Sequence, residues 1–269
     1  MPTSLPILTA TRRIDFKGSG RTRPALIGCD LPEGGEIECV VKLGGHPESA
    51  AHQPVCELVA ALLALDLDLP VAEPLLVEIT PDFASHAVPA SNAAAQARCQ
   101  QAIGWSFATR HLPSGFHILP VGKPPARPLL PALAELYAFD GLIQNADRSP
   151  TNSNCLVKGN ELRFFDHDQA FGFLLDFLGR RPVSDVESYA FLSRHLAYAH
   201  LGRDRSLFNR LEGAWESITD ATLAGYLDLL PDNWPGKKRY FPAIEAYLKD
   251  VRAELASALD AITLSLPSS

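Results

Sequence analysis

Asn145, Asp147, Arg148, Asn152 and Asn154 crowd together between the apolar Phe139, Leu142 and Ile143 on one side and Cys155, Leu156 and Val157 on the other. A surface loop uses the same residue types for its turns. The residues immediately after them point to chemistry. Residues 155–157 predict a short strand, Gly159-Asn160 a hairpin turn, and 162–165 a return strand that ends on Asp166-His167-Asp168. With the turn centred on 159/160, Asn152 falls opposite His167, next to Asp166. A one-residue bulge brings Asn152 opposite Asp166 itself. Either register joins an amide oxygen to a carboxylate at the open end of the hairpin. That is a hard-oxygen pair suited to magnesium carrying a nucleotide phosphate.

Asp147 precedes Asn152 by five residues. An Asp-x4-Asn spacing, then a hairpin, then another Asp, is the arrangement protein kinases use. The first Asp orients and deprotonates the attacking hydroxyl, and the Asn and second Asp hold metal. An upstream pair fits the same chemistry. Lys42 ends a predicted strand over 36–43, and Glu57 lies on a predicted helix over 55–65 that is otherwise apolar nearly all round. A buried carboxylate needs a cationic partner. Lys42, on the preceding strand, is the natural candidate, and such a pair aims the ammonium at nucleotide α/β-phosphates. The plainer readings are an exposed lysine at a strand end and a glutamate on the helix's single solvent stripe.

The elements around these residues change character along the chain. Strand 36–43 follows the apolar run 25–27 and a turn at Pro32-Glu33-Gly34-Gly35. Pro54 suits the first turn of the helix, and Pro70 stops it. Residues 71–79 and 105–112 read as strands, and 81–100 as a surface loop or a poorly packed helix. The five prolines of 119–131 require an extended connection, and a helix follows over 132–144. Beyond the hairpin, Ser184-Asp185-Val186-Glu187 is a capping box that starts a helix. Another helix follows Thr219 or Asp220, and 242–264 has the spacing of one final amphipathic helix. Strands first and helices after predict an α+β fold in two lobes: a β-rich N-lobe over 1–112 and a mainly helical C-lobe over 113–269.

The 269 residues are 46% hydrophobic and 20% charged, as in an ordinary globular protein, with a formal net charge of −7. The acidic balance argues against nucleic acid as a partner, since phosphate backbones need basic surface. Five scattered cysteines without a CxxC pair read as reduced structural thiols. Met1-Pro2-Thr3-Ser4 lacks the start of a signal peptide, and no stretch of about 18 apolar residues offers a membrane span. The expected compartment is the cytoplasm.

The string from Asn145 through Asp147-Arg148 and Asn152 to Asn154 resembles the catalytic loop of HipA-like kinases, in the phosphatidylinositol kinase-like superfamily. Phe165-Asp166-His167 with Phe171 resembles their metal-binding Asp-His-Gly-x-x-Phe turn, with Asp168 where the family usually has Gly. Val40-Val41-Lys42, the helix around Glu57 and Leu69 to Pro74 are similar to the N-lobe of that family. The resemblance implies ATP and Mg2+ as cofactors, Asp147 as catalytic base, Asn152 and Asp166 as metal ligands, and Lys42 on the phosphates with Glu57 as its support. It also implies that Gly18-Ser19-Gly20 forms the loop over the phosphates, for which a plain turn is the alternative, and that 107–112 forms the hinge facing adenine.

The expected activity is an ATP- and Mg-dependent phosphotransferase, a HipA-like serine/threonine protein kinase. The alternatives are a small-molecule or lipid kinase on the same fold, or a non-catalytic nucleotide-binding scaffold. The phosphoacceptor, protein or small molecule, is not legible. His195, His200 and the other histidines show no metal-ligand spacing and read as structural or surface. Lys237-Lys238-Arg239 reads as a solvated run before the last helix, and the tryptophans as core or lobe-interface residues. Ser149 and Thr151 are turn residues or, alternatively, autophosphorylation sites.

Overall fold

Two-residue alternation in the N-terminal strands sends small apolar side chains to one face and functional ones to the other. The structure, a computed structural model, describes residues 5–16, 24–43, 51–88, 92–120, 122–175 and 180–268. Gly18, Ser19 and Gly20 lie outside the described residues. Strands β1 (Ile7–Phe16), β2 (Ala25–Asp30), β3 (Glu36–Lys42), β4 (Pro74–Ile79) and β5 (Gly104–Arg110) close into a barrel in the order β1-β2-β3-β5-β4. All neighbours are antiparallel except β1 and β4. Cys39 and Val41 of β3 and Ala108 of β5 point into the barrel core with Ile27, Leu75 and Val77. Val40, Lys42, Phe107 and Thr109 alternate to the opposite face.

The stretch 81–100, expected as a loop or a loose helix, forms two short helices, α2 (Pro81–His86) and α3 (Ala93–Gln101). Thr80 and Asn92 cap them through side-chain oxygens, and Phe83, Ala95 and Cys99 join the barrel core. The strand expected over 71–79 begins only at Pro74, because residues 70–72 have another partner. Ala72 N–H donates to the Phe164 carbonyl at 2.8 Å, and Phe164 N–H donates to that of Pro70 at 3.0 Å.

Helix α1 (Gln53–Asp66) carries Pro54 in its first turn and is buried on almost every face. One side meets the barrel and the other a larger core that runs through α4 (Leu130–Leu142) into the C-terminal helices. Short β6 (His117–Ile118) pairs with the hairpin β7 (Cys155–Lys158) and β8 (Glu161–Phe164), whose two-residue turn uses Gly159 at φ +60°. Helices α5 (Asn209–Trp215), α6 (Asp220–Leu229), α7 (Lys237–Ala253) and α8 (Leu255–Ser265) complete a mixed α+β architecture. No helix among the described residues is long and apolar enough to cross a membrane.

Three helical expectations change. Asp185, not Ser184, caps the element after the hairpin, and Val186–Arg194 is a 3-10 stretch. The expected final helix is two, broken at Glu254, whose φ −115° and ψ 26° leave the helical region. The basic run at 237–239 opens α7, and Lys237 is buried there, donating to the Leu230 carbonyl at 2.6 Å and Asp232 at 2.7 Å.

The strand-rich and helical parts are tied by specific contacts. Trp234 Nε1 donates to the Trp105 carbonyl at 2.9 Å, and the Tyr226 hydroxyl to Asp66 at 2.7 Å. Gly236 lies so close to Ala51 that a Cβ would overlap the Ala51 carbonyl. Gly236→Ala is therefore expected to lower the unfolding free energy in urea by roughly 1–3 kcal/mol, the usual cost of overpacking. An unchanged urea midpoint would show that this seam yields freely.

Candidate active site

Lys42 ends β3 on the outward face, and its ammonium meets three carboxylates. It donates to Glu57 Oε2 of α1 at 2.6 Å and to Asp166 Oδ1 at 2.5 Å, and lies 3.6 Å from Asp168 Oδ2. Burial alone disfavours the ammonium, but the carboxylates of Glu57, Asp166 and Asp168 outweigh it and hold Lys42 firmly protonated. Burial likewise pushes the Glu57 carboxyl up, and Lys42 pulls it back. Burial raises the Asp166 carboxyl, but Lys42, with Arg148 behind it, outweighs that and holds it below the usual range.

The loop after α4 is built around a buried charge. Arg148 is fully enclosed and donates through Nε to Asp140 Oδ2 at 2.6 Å. Its Nη1 donates to the carbonyls of Ser153 at 3.2 Å, Asn154 at 2.8 Å and Phe165 at 3.3 Å. Asp140 also accepts from Asn145 Nδ2 at 2.9 Å and from His195 Nε2 at 3.0 Å. His195 Nδ1 accepts from the Ala197 N–H, which assigns the proton of the neutral ring to Nε2. Burial opposes ionisation of Asp140, yet Arg148 and His195 hold its carboxyl well below the usual range.

Ser149 and Asn152 close a tight turn through reciprocal backbone bonds of 3.0 and 3.1 Å. That turn brings Asn152 Nδ2 to Asp147 Oδ2 at 2.8 Å, and Asn154 Nδ2 reaches the same oxygen at 3.2 Å. Burial raises the Asp147 carboxyl, and the carboxylates of Asp166 and Asp168 raise it further against these two amide bonds. Across the hairpin the ladder ends with Phe165 N–H on the Asn154 carbonyl. Asn152 therefore turns towards Asp147 instead of continuing the hairpin ladder.

One cavity of about 470 Å3 takes in Lys42, Glu57, Asp147, Asn152, Asp166 and Asp168. Its remaining walls include Pro24, Val40, Phe107, Thr109, Ile118 and Phe165. Apolar walls at one part and convergent charges at another suit a ligand with a flat apolar body and an anionic tail. Oxygens of Glu57, Asp166 and Asp168 lie within 4.8 Å of one another, a hard-oxygen set that fits a magnesium ion. The expected hinge contributes Phe107 and Thr109 to the cavity, while Arg110 and His111 pair with Glu73 and Glu38.

The bracing pair of Asp140 and His195 escaped the sequence reading, whereas the carboxylate of Asp168 already stood out in the turn. Asp168 joins the carboxylate cluster, and its other oxygen takes the Gln169 amide at 2.9 Å. Asp140 and His195 brace the loop from behind. A carboxylate inside the apolar run of α4 is a signal for Asp140. His195 comes from a distant segment and carries none. His167, between the predicted ligands, is buried edge-on against Phe139 and Phe164, and burial lowers its pKa to about 3, so the ring is neutral.

A model of the HipA-like kinase family matches residues 19–259. No curated protein matches the chain. Among solved structures, the Helicobacter pylori proinflammatory kinase CtkA is similar at a TM-score of 0.50 and 14% identity, covering 98% of this chain and 99% of its own. An apo pseudokinase is similar at a TM-score of 0.33 and 13% identity, covering 93% of this chain and 98% of its own.

Removing one side of a buried ion pair leaves the other charge unsatisfied, at a cost of roughly 3–5 kcal/mol. Arg148→Ala is expected to lose about that much in urea unfolding. Arg148→Lys should lose most of it too, because one ammonium cannot reach Asp140 and three carbonyls at once. A lysine variant as stable as wild type would mean that charge alone holds the loop.

Proposed function

The chain belongs to the HipA-like kinase family, and from that premise we propose that it transfers the terminal phosphoryl group of ATP, with magnesium, to a serine or threonine hydroxyl of a protein. The observation that carries this reading is the convergence of Lys42, Asp147, Asn152 and Asp166 on one cavity. In this reading the N-lobe spans 1–112, the C-lobe 113–269, and the nucleotide lies between them. The five buried free thiols support a reducing compartment such as the cytoplasm.

Each residue has a role that follows from its surroundings. Glu57 holds the Lys42 ammonium at the cavity, where it meets the α- and β-phosphates. Asn152 and Asp166 would hold magnesium, which supplies positive charge against the phosphate oxygens. The resemblance assigns Gly18-Ser19-Gly20 to the cover over the phosphates and 107–112 to the adenine. Asp147 orients the acceptor hydroxyl and takes its proton as the hydroxyl oxygen bonds to the γ-phosphorus. The bond from that phosphorus to the β–γ bridging oxygen breaks, and its electron pair leaves on ADP. Asn152 and Asn154 fix the Asp147 carboxylate through Oδ2, leaving Oδ1 for the hydroxyl.

Label transfer from γ-labelled ATP tests this. Asp147→Asn should slow transfer about 10²–10⁴-fold, the usual share of a general base, while ATP still raises the melting temperature. The base works only when deprotonated, and its carboxyl is raised. Activity should therefore fall on acidification already above pH ~4, the ordinary carboxylate value. Wild type that binds ATP yet labels neither itself nor any added protein would leave a nucleotide-binding scaffold. Label on metabolites alone would point to a small-molecule acceptor.

A further inference from the structure

A second cavity, of about 580 Å3, touches the loop that carries Asp147 through Ser149, Pro150 and Ser153, and shares no lining residue with the first. Its other walls come from the proline-rich connection after β6 and from residues 193–200. The charges there are one-sided. Lys123 and Arg194 line the cavity, and among the described residues no carboxylate does, in a chain of net charge −7. Elsewhere in the helical part Arg180, Arg205, Arg210 and Arg252 rest on carboxylates. Lys123 and Arg194 have no hydrogen-bond or ion-pair partner among the described residues. The hydroxyl of Ser153, buried in the wall, also lacks a partner.

We propose that this cavity binds a phosphate monoester carried on an apolar body. Two unpartnered cations and the unpartnered hydroxyl of Ser153 in one cavity wall match a dianionic phosphate, whereas a lone carboxylate would satisfy only one of the cations. Pro120, Pro124, Pro125 and Pro150 supply apolar wall for the remainder of the molecule. The position gives such a ligand leverage. His195 lines the same cavity and donates to Asp140, the acceptor that anchors Arg148. A bound phosphate ester therefore rests both on the Asp147 loop and on the residue bracing it, and its binding is linked to the placement of that loop.

Phenyl phosphate is the probe, titrated calorimetrically into the full chain without magnesium or nucleotide. Saturable binding is expected, weakening as salt is raised. Lys123→Ser combined with Arg194→Ser should weaken it at least about tenfold, the share of a hydrogen bond to a charged group. Both side chains are exposed, so the variant keeps its fold. Phenol should not bind. Absence of binding to wild type, or equal affinity in the double variant, would overturn the site, the second by placing the anion near Lys42. Phenol binding as tightly as its phosphate would overturn the chemistry. Neither nucleotide binding nor transfer is read, so the result stands apart from the kinase assignment.

Discussion

The guanidinium of Arg148 lies wholly out of water, and the geometry of the site follows from how that charge is satisfied. An isolated buried cation is untenable, so it needs a counter-charge and acceptors for its N–H groups. Asp140, inside α4, supplies the charge. The carbonyls of Ser153, Asn154 and Phe165 supply the acceptors, leaving Nη2 alone unpartnered. These acceptors belong to a helix, a loop and the end of a strand. The arginine is satisfied only when all three are in place together, which makes this pair a device for specifying one loop geometry more than a source of net stability.

Backbone strain around the site depends on the same anchor. Asn154, Asp166 and Phe171 have φ of +46°, +64° and +59°, a region that side chains other than glycine rarely adopt. Arg148 fixes the carbonyls of Asn154 and Phe165, and Phe171 N–H donates to the Ile143 carbonyl at 2.6 Å. Held this way, Asp147 and Asp166 open onto one cavity from two separate turns. Strain of this kind persists where surrounding contacts over-determine it, and it concentrates at functional sites.

Electrostatics across the cleft are unbalanced by the choice of residue types. Among the described residues one ammonium, Lys42, faces the carboxylates of Glu57, Asp166 and Asp168. The glutamate meets the lysine from α1, a helix buried on almost every face. Asp168 adds a carboxylate where the resemblance leads us to expect glycine. Instead of disrupting the turn it folds back into the cluster, with Gln169 on its free oxygen. The excess negative charge is what a divalent cation would offset.

Much of this was legible along the chain. The hairpin read correctly because Gly159-Asn160 marks its turn, and its register follows from a two-residue loop. The Lys42–Glu57 contact was legible because a carboxylate in an apolar helix must find a cation. The order of strands and helices announced an α+β fold for the same periodic reasons. Other features depend on contacts between segments far apart in sequence. Asn152 lies near Asp166 by hairpin arithmetic, yet its amide turns to Asp147, because the Ser149–Asn152 turn ends the ladder first. The 242–264 pattern looked continuous, but periodicity does not report the backbone break at Glu254. Lys237 reads as solvated until the carbonyl of Leu230 is placed over it. Above all, nothing near His195 in sequence foretells its bond to Asp140, 55 residues away. Local residue chemistry thus named the groups able to act. Tertiary structure alone decided which of them share one desolvated space, because burial and charge pairing are properties of segments that meet only when the chain is folded.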